Sequence, residues 1–196
     1  VAKGRPRGFC TDRALAAALR IFWSKGYEGA SLTELTEAMG ITRPSLYAAF
    51  GNKESLFHKA LDLYESEKLG YARTAMEQPT ARAVAEHFMR GALEMQLSQN
   101  DPKGCLGVMS LAAGGAEPES IKGDVMARRA SLQLLLCERF ERAKAEGDLP
   151  AHIDVPGLAS YLFALLQGMA VQAGSGSTRQ ELQRIIDTGL ALWPSP

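Results

Sequence analysis

The chain has 196 residues, 46% of them hydrophobic, which supports a substantial core in one domain or in a small head joined to a larger body. Twenty-two Lys/Arg balance twenty-two Asp/Glu, so the globally basic signature common among nucleic-acid binders is absent. The odd number and wide spacing of Cys10, Cys105 and Cys137 argue against a disulfide framework and fit a reducing compartment.

The charge is unevenly divided. Residues 1–59 carry nine Lys/Arg against five Asp/Glu, and residues 60–196 carry thirteen against seventeen. A basic head on an acidic body is what a DNA-reading end on an acidic core would need. The apolar runs read as too interrupted by charge or glycine to reach the roughly 20 residues of a membrane span. The start, VAKGRPRGF, is basic without the apolar stretch of a signal peptide. The expectation is a cytoplasmic protein with no membrane partner.

Lys3, Arg5 and Arg7 lie among glycine and proline in a basic N-terminal arm. Thr11 and Asp12 begin a helix with Leu15, Ala18, Leu19 and Phe22 on one face, ending near Lys25-Gly26, a cation and then a glycine. Ser31 and Glu34 have capping-box spacing, and Leu35, Ala38 and Met39 share an apolar face up to Gly40. Thr42 caps again, and Arg43-Pro44-Ser45 opens a helix whose first turn tolerates proline because its missing N–H needs no partner. Leu46 and Phe50 then point inward, leaving Arg43, Ser45, Tyr47 and Ala48 outward or sideways. These two short helices and their tight turn read as a helix-turn-helix.

Asn52 caps a long fourth helix expected from Lys53 to about Met76, with Leu56, Phe57, Ala60, Leu61 and Tyr64 buried. A fifth begins near Thr80 and repeats Val84, Phe88, Ala92 and Met95 at helical spacing. The glycine-interrupted segment Gly104–Leu111 follows, then a long helix from Glu119 to about Glu146 whose charged end, Glu138 to Lys144, reads as a solvated face. Asp154 caps a very apolar helix, and Thr178 with Glu181 opens the last one. Leu158, Leu162, Leu165, Leu166 and Met169 on the first, with Leu182, Ile185, Ile186 and Leu190 on the second, are either central core or a partner surface. No strand pattern appears. The fold class is all-α with about nine helices.

The segment ALRIFWSKGYEGASLTELTEAMGITRPSLYAAFGNKESLF resembles the TetR family of bacterial transcriptional regulators. The resemblance rests on Gly26-Tyr27, Ser31, Gly40-Ile41-Thr42, Leu46-Tyr47, Phe50-Gly51-Asn52-Lys53-Glu54 and Leu56. Thr36 stands where the family most often has alanine, and Ala49 replaces its usual histidine or aromatic residue before Phe50. The other 137 residues resemble the family only in helix order and length. The resemblance implies a DNA-binding domain, residues 1–53, and a ligand-binding and dimerisation domain, residues 54–196. It also implies a homodimer in which the last two helices pair with their copies, a near-palindromic double-stranded operator and a small-molecule effector that releases it. A helical ligand- or partner-binding protein without DNA binding is the alternative.

Within that reading Arg43 offers a bidentate fork to a guanine edge. Ser45 and Ala48 touch base edges or a thymine methyl, and Pro44 sits in the same first turn. Tyr47, Thr33 and Lys53 suit phosphates, and Lys3, Arg5 and Arg7 suit phosphate or the minor groove. Phe88, Met95, Cys105, Met109, Leu132 and Leu136 are the residues expected to surround an effector cavity; that they simply fill one another's space is the plainer account. His58, His87 and His152 have neither triad nor ligand spacing, so no catalytic residue, metal or cofactor is expected.

Overall fold

A computed structural model of the chain describes residues 9–112 and 118–194. The basic residues Lys3, Arg5 and Arg7 lie outside the described residues. Ten helices and no strand are present among those described. They are α1 (Thr11–Gly29), α2 (Leu32–Met39), α3 (Arg43–Phe50), α4 (Lys53–Lys68), α5 (Gly70–Met76), α6 (Ala81–Gln96), α7 (Leu106–Ala112), α8 (Glu119–Ala145), α9 (Val155–Gly174) and α10 (Arg179–Ala191).

The tenth helix comes from a break inside the expected fourth one. Leu69 leaves helical geometry at φ −102°, ψ 17°, so α4 ends at Lys68 and α5 restarts at Gly70. The break turns α5 onto α6 instead of prolonging α4. In α1 the backbone leaves the helix at Gly26 (φ 70°, ψ 179°), the position where the sequence predicts a stop. That combination is essentially open to glycine alone, and a side chain there would cost about 1–3 kcal/mol.

Caps set the other boundaries. Ser31 with Glu34 and Thr178 with Glu181 both form complete capping boxes. Thr42, Asn52 and Thr80 each accept a backbone N–H from the third helical position. Each such cap is worth about 1 kcal/mol over alanine. Asp154 occupies the α9 cap position but makes no cap hydrogen bond through its side chain.

Two buried clusters form the interior. The first joins Phe22, Trp23 and Tyr27 of α1 to Leu35, Leu46, Phe50 and the α4 residues Leu56, Phe57, Leu61 and Tyr64. Phe57 meets Phe22 and Tyr27 edge-on at ring distances of 5.0 and 5.3 Å. The same cluster takes in Leu106, Ile121 and Val125 from α7 and α8, so the head's core is closed by the body. The second cluster packs α5, α6 and α8 against α9 and α10.

Two expectations about the last helices change. α9 is long and apolar enough, by length and composition, to cross a membrane, because no charged residue interrupts Val155–Gly174. One face of it nevertheless enters the second cluster through Leu162, Leu166 and Met169. Those three are buried inside the protomer by α6 and α8, and Leu182, Ile186 and Leu190 by α6 and α9, so they are core and are not available to a partner. Leu158, Leu165 and Ile185 are half-buried against the same core, and Leu165 Cδ1 lies 3.0 Å from where a Cβ on Gly189 would sit.

Candidate nucleic-acid interface and ligand cavity

The outward surface of the head is built by α2 and α3. Leu46 and Phe50 anchor α3 to the core, and the helical period then turns Arg43, Pro44, Tyr47 and Ala48 to solvent, with Ser45 half-buried. Tyr47 is 47% exposed, a large aromatic left outside the core. The turn from α2 is fixed by Gly40 at φ 65°, whose N–H donates back to the carbonyls of Glu37 and Thr36. Thr36 is buried, and its hydroxyl donates to the carbonyls of Leu32 and Thr33 at 2.9 and 3.0 Å, so threonine replaces alanine there without an orphaned polar atom. Ala38, expected on the inner face, is exposed.

Arg43 and Thr33, singled out from different helices, are brought together: Arg43 Nη2 donates to Thr33 Oγ1 at 2.7 Å. That bond occupies one of the five guanidinium N–H donors and holds the fork at the α2–α3 junction. Ser45 N donates to Thr42 Oγ1 at 3.3 Å, and the two hydroxyls lie 3.0 Å apart. Lys53 places its ammonium 4.4 Å from the centre of the Tyr27 ring, a cation–π contact at the start of α4. Behind this surface Lys25 pairs with Glu34. Hydrogen bonds from Lys25 first, then from the Ser31 backbone and hydroxyl, hold the Glu34 carboxyl down to about 2.

α4 leads from this surface to the body, and its charged side is clasped by α8. Arg128 donates to Asp62 at 2.7 Å, to Glu65 at 2.8 Å and to Asp124 of its own helix at 2.8 Å. His58 Nδ1 lies 2.6 Å from the second oxygen of Asp124, and Ser120 donates to Glu54 at 2.6 Å. Burial alone would raise the Asp124 carboxyl, but the hydrogen bonds from Arg128 and His58 outweigh it and hold the group below its ordinary value. Burial likewise opposes the Arg128 charge and is overcome by its carboxylate partners, which push its pKa up. His58 thus serves the α4–α8 contact.

A cavity of about 920 Å³ lies beside this clasp, within the size range of small-molecule sites. Phe88, Cys105 and Leu132 line it as expected. Met95, Met109 and Leu136 do not. Met95 sits under the Tyr64 hydroxyl at 3.6 Å. Met109 packs its sulfur against Gly104 and Gly174, and Leu136 is fully buried in the second cluster. The wall also contains residues the sequence reading missed: Tyr64, Tyr71, Gln96, Arg128 and Arg129. Tyr64 touches both sides, since its hydroxyl donates to Cys105 Sγ at 3.3 Å while its ring meets Trp23 of α1 edge-on at 4.8 Å. Only Glu54–His58 and Asp124–Arg128 carry the i, i+4 spacing of paired charges; Arg128 meets Glu65 and Asp62 across 63 and 66 positions, which no local spacing signals.

The head and body each have known counterparts. Residues 14–60 match the family described as bacterial regulatory proteins, tetR family, and residues 80–188 match the tetracyclin repressor-like C-terminal domain. The HTH-type transcriptional repressor ComR of Escherichia coli (strain K12) is 35% identical over 199 aligned positions, covering 98% of this chain and 92% of that protein. BdcR of the same organism, also an HTH-type transcriptional repressor, is 38% identical over 110 positions, or 55% of this chain and 54% of its own. Among solved structures, a cysteine variant of the regulator CifR complexed with 26-bp double-strand operator DNA superposes with a TM-score of 0.91 at 40% identity, covering 97% of this chain and 100% of that one. A putative TetR transcriptional regulator from Rhodococcus sp. RHA1 has 41% identity and a TM-score of 0.64, covering 93% of this chain and 98% of its own. With both halves matched and the likeness running nearly end to end, the chain belongs to the TetR family of bacterial regulatory proteins.

Proposed function

We propose that the chain is a homodimeric, cytoplasmic transcriptional repressor, not an enzyme, that holds a near-palindromic DNA operator and lets it go when a small molecule fills the body. The observation that carries this reading is α3. It is anchored by Leu46 and Phe50 and leaves Arg43, Pro44, Ser45, Tyr47 and Ala48 on its outer side, with Arg43 braced on Thr33 at 2.7 Å. A short helix so held fits a major groove, with Arg43 reading a guanine and Thr33, Tyr47 and Lys53 on phosphates. Lys3, Arg5 and Arg7 add contacts to phosphate or the minor groove.

The division into residues 1–53 and 54–196 is functional in this reading, with the first turns of α4 shared by both cores. The dimer uses the solvent side of α9, where Tyr161, Ala164, Gly168 and Val171 are exposed at helical spacing, together with the outer side of α10. Two recognition helices then sit about 34–36 Å apart, one DNA turn. An effector that binds better to an unfavourable spacing shifts the population away from DNA. Arg128 suits the transmission, because it belongs both to the cavity wall and to the clasp on α4.

The test is binding to DNA flanking the chain's own gene, by gel shift and by anisotropy across operator variants. Arg43→Ala should relax preference at one position per half-site, costing about 1–3 kcal/mol there. An unchanged preference profile removes Arg43 from base reading, and no retardation of any flanking DNA by the wild-type chain sinks the repressor reading.

A further inference from the structure

The charged side chains on the cavity wall are Glu65, Arg73, Arg128 and Arg129, three cations against one anion, or +2. Glu65 is already paired with Arg128, which Asp62 and Asp124 hold as well. Arg73 and Arg129 have no carboxylate within ion-pair distance among the described residues. Arg129 is nevertheless held close: with the Gln167 amide turned so that its oxygen faces the guanidinium, that oxygen lies 2.9, 3.0 and 3.2 Å from the three nitrogens. A neutral amide orients a guanidinium without cancelling its charge.

Gln96 is the buried amide of the wall. It is 2% exposed and lines the same cavity, and its Nε2 donates to the Leu166 carbonyl at 3.5 Å. Its Oε1 has no donor among the described residues. That oxygen is closed off from the cavity as well, so it costs stability without offering a handle to a ligand. The rest of the wall is largely apolar, with Phe88, Leu132, Leu135, Phe163 and Leu166.

We propose that the cavity binds an amphipathic anion, with an apolar body on the Phe88–Phe163 side and an acidic head taken by Arg129 and Arg73. The charge class follows from what filling the cavity does. A neutral apolar ligand strips water from Arg129 and returns no counter-charge, and a cationic one adds like charge to a wall whose single carboxylate is already engaged. An acid compensates both arginines with charge-assisted, bidentate geometry. The inference rests on the cavity being the effector site of the proposed repressor.

The experiment titrates the full chain calorimetrically with three probes of equal tail length: decanoate, 1-decanol and n-decylammonium. Decanoate should bind at least about tenfold tighter than either. Arg129→Met should remove about that factor, Arg129→Lys should restore part of it, and Arg73→Met should weaken decanoate alone. Circular dichroism confirms that each variant is folded, and Arg73→Met on an exposed side chain stands in if Arg129→Met is not. Equal or tighter binding of decanol or decylammonium, or decanoate binding unchanged by both methionine variants, overturns the charge class. Absence of binding by all three probes while the chain still holds flanking DNA overturns the amphipath and leaves the DNA reading intact. Arginine-dependent decanoate binding that leaves DNA bound upholds the ligand class and overturns the effector role.

Discussion

Trp23 in α1 donates from its indole Nε1 to the carbonyl oxygen of Gly104 at 3.2 Å, tying the head to the loop before α7 across 81 residues of sequence. Trp23 is buried, and Gly104 takes φ 83° where a Cβ would lie 2.9 Å from the Ala170 carbonyl oxygen of α9. One glycine therefore meets both the head and the body's apolar helix. Gly104→Ala adds the left-handed penalty of about 1–2 kcal/mol to that collision with backbone, and Trp23→Phe leaves a carbonyl unmet at about 1–3 kcal/mol. Thermal unfolding at one fixed protein concentration should show both variants melting several degrees below the wild type. A wild-type midpoint for Gly104→Ala would mean that the loop has room to move away from α9.

Gly91 faces Tyr71 closely enough that a Cβ would fall 2.5–2.6 Å from the ring's Cγ, Cδ2 and Cβ atoms. Helix propensity favours alanine at such a site by about 1 kcal/mol. The clash is with the root of a large ring held beside Phe88 at 5.7 Å, so overpacking at about 1–3 kcal/mol should prevail. Gly91→Ala is expected to lower stability and to displace Tyr71 into the cavity, weakening whatever binds there. A stabilised variant with unaltered ligand binding would show that α5 shifts freely on α6.

Glu34 gives a pH signature. Its carboxyl is held down to about 2 from an ordinary value near 4.5, by Lys25 first and then by Ser31. The folded form therefore binds this proton less readily than the unfolded one. The contribution is fully present above about 4.5 and drains away as pH falls through 2. Melting curves of Glu34→Gln and the wild type, taken between pH 7 and pH 2, should differ most at neutral pH and converge in acid. A gap that stays constant with pH would place the Glu34 effect in the cap geometry rather than in its charge.

Gly168 lies on the exposed side of α9, and a Cβ there meets nothing within 4 Å. Gly168→Glu should leave the protomer folded and separate the dimer, because a charge would have to enter a desolvated interface. Sedimentation of the variant as a monomer with wild-type helicity is the expected result. A persistent dimer moves the contact surface off α9.

The head was legible in the sequence because its determinants are local. Ser31, Gly40, Thr42 and Asn52 act within three or four residues of themselves, and Leu46 and Phe50 declare the inner side of α3 by spacing alone. The last two helices were not legible in the same way. Whether Leu162 or Ile186 faces a core or a partner depends on α6 and α8, which arrive from far along the chain. The α4 break had a signal in Gly70, outweighed by the apolar stripe from Leu56 to Tyr64. Of the six expected cavity residues, Phe88, Cys105 and Leu132 reach it, while Met109 turns to the space beside Gly104 and Gly174. The polar wall went unread because Arg128 and Arg129 are adjacent in sequence and so point about 100° apart on a helix, and only helices distant in sequence close one cavity around both.

Leu106, Ile121 and Val125 complete the packing around Phe57 and Tyr64, although they lie at least 42 positions further along the chain than Tyr64. The DNA-reading end is therefore a poor module to transplant. A chimera that joins residues 1–53 to the body of a distant relative would lose Phe57 and Tyr64 together with their lid, and would set Phe22, Trp23 and Tyr27 against foreign side chains. Portability should follow the fit of those three side chains more closely than the placement of the splice. Carrying α4, α7 and the start of α8 along with the head is the shorter route to a working hybrid.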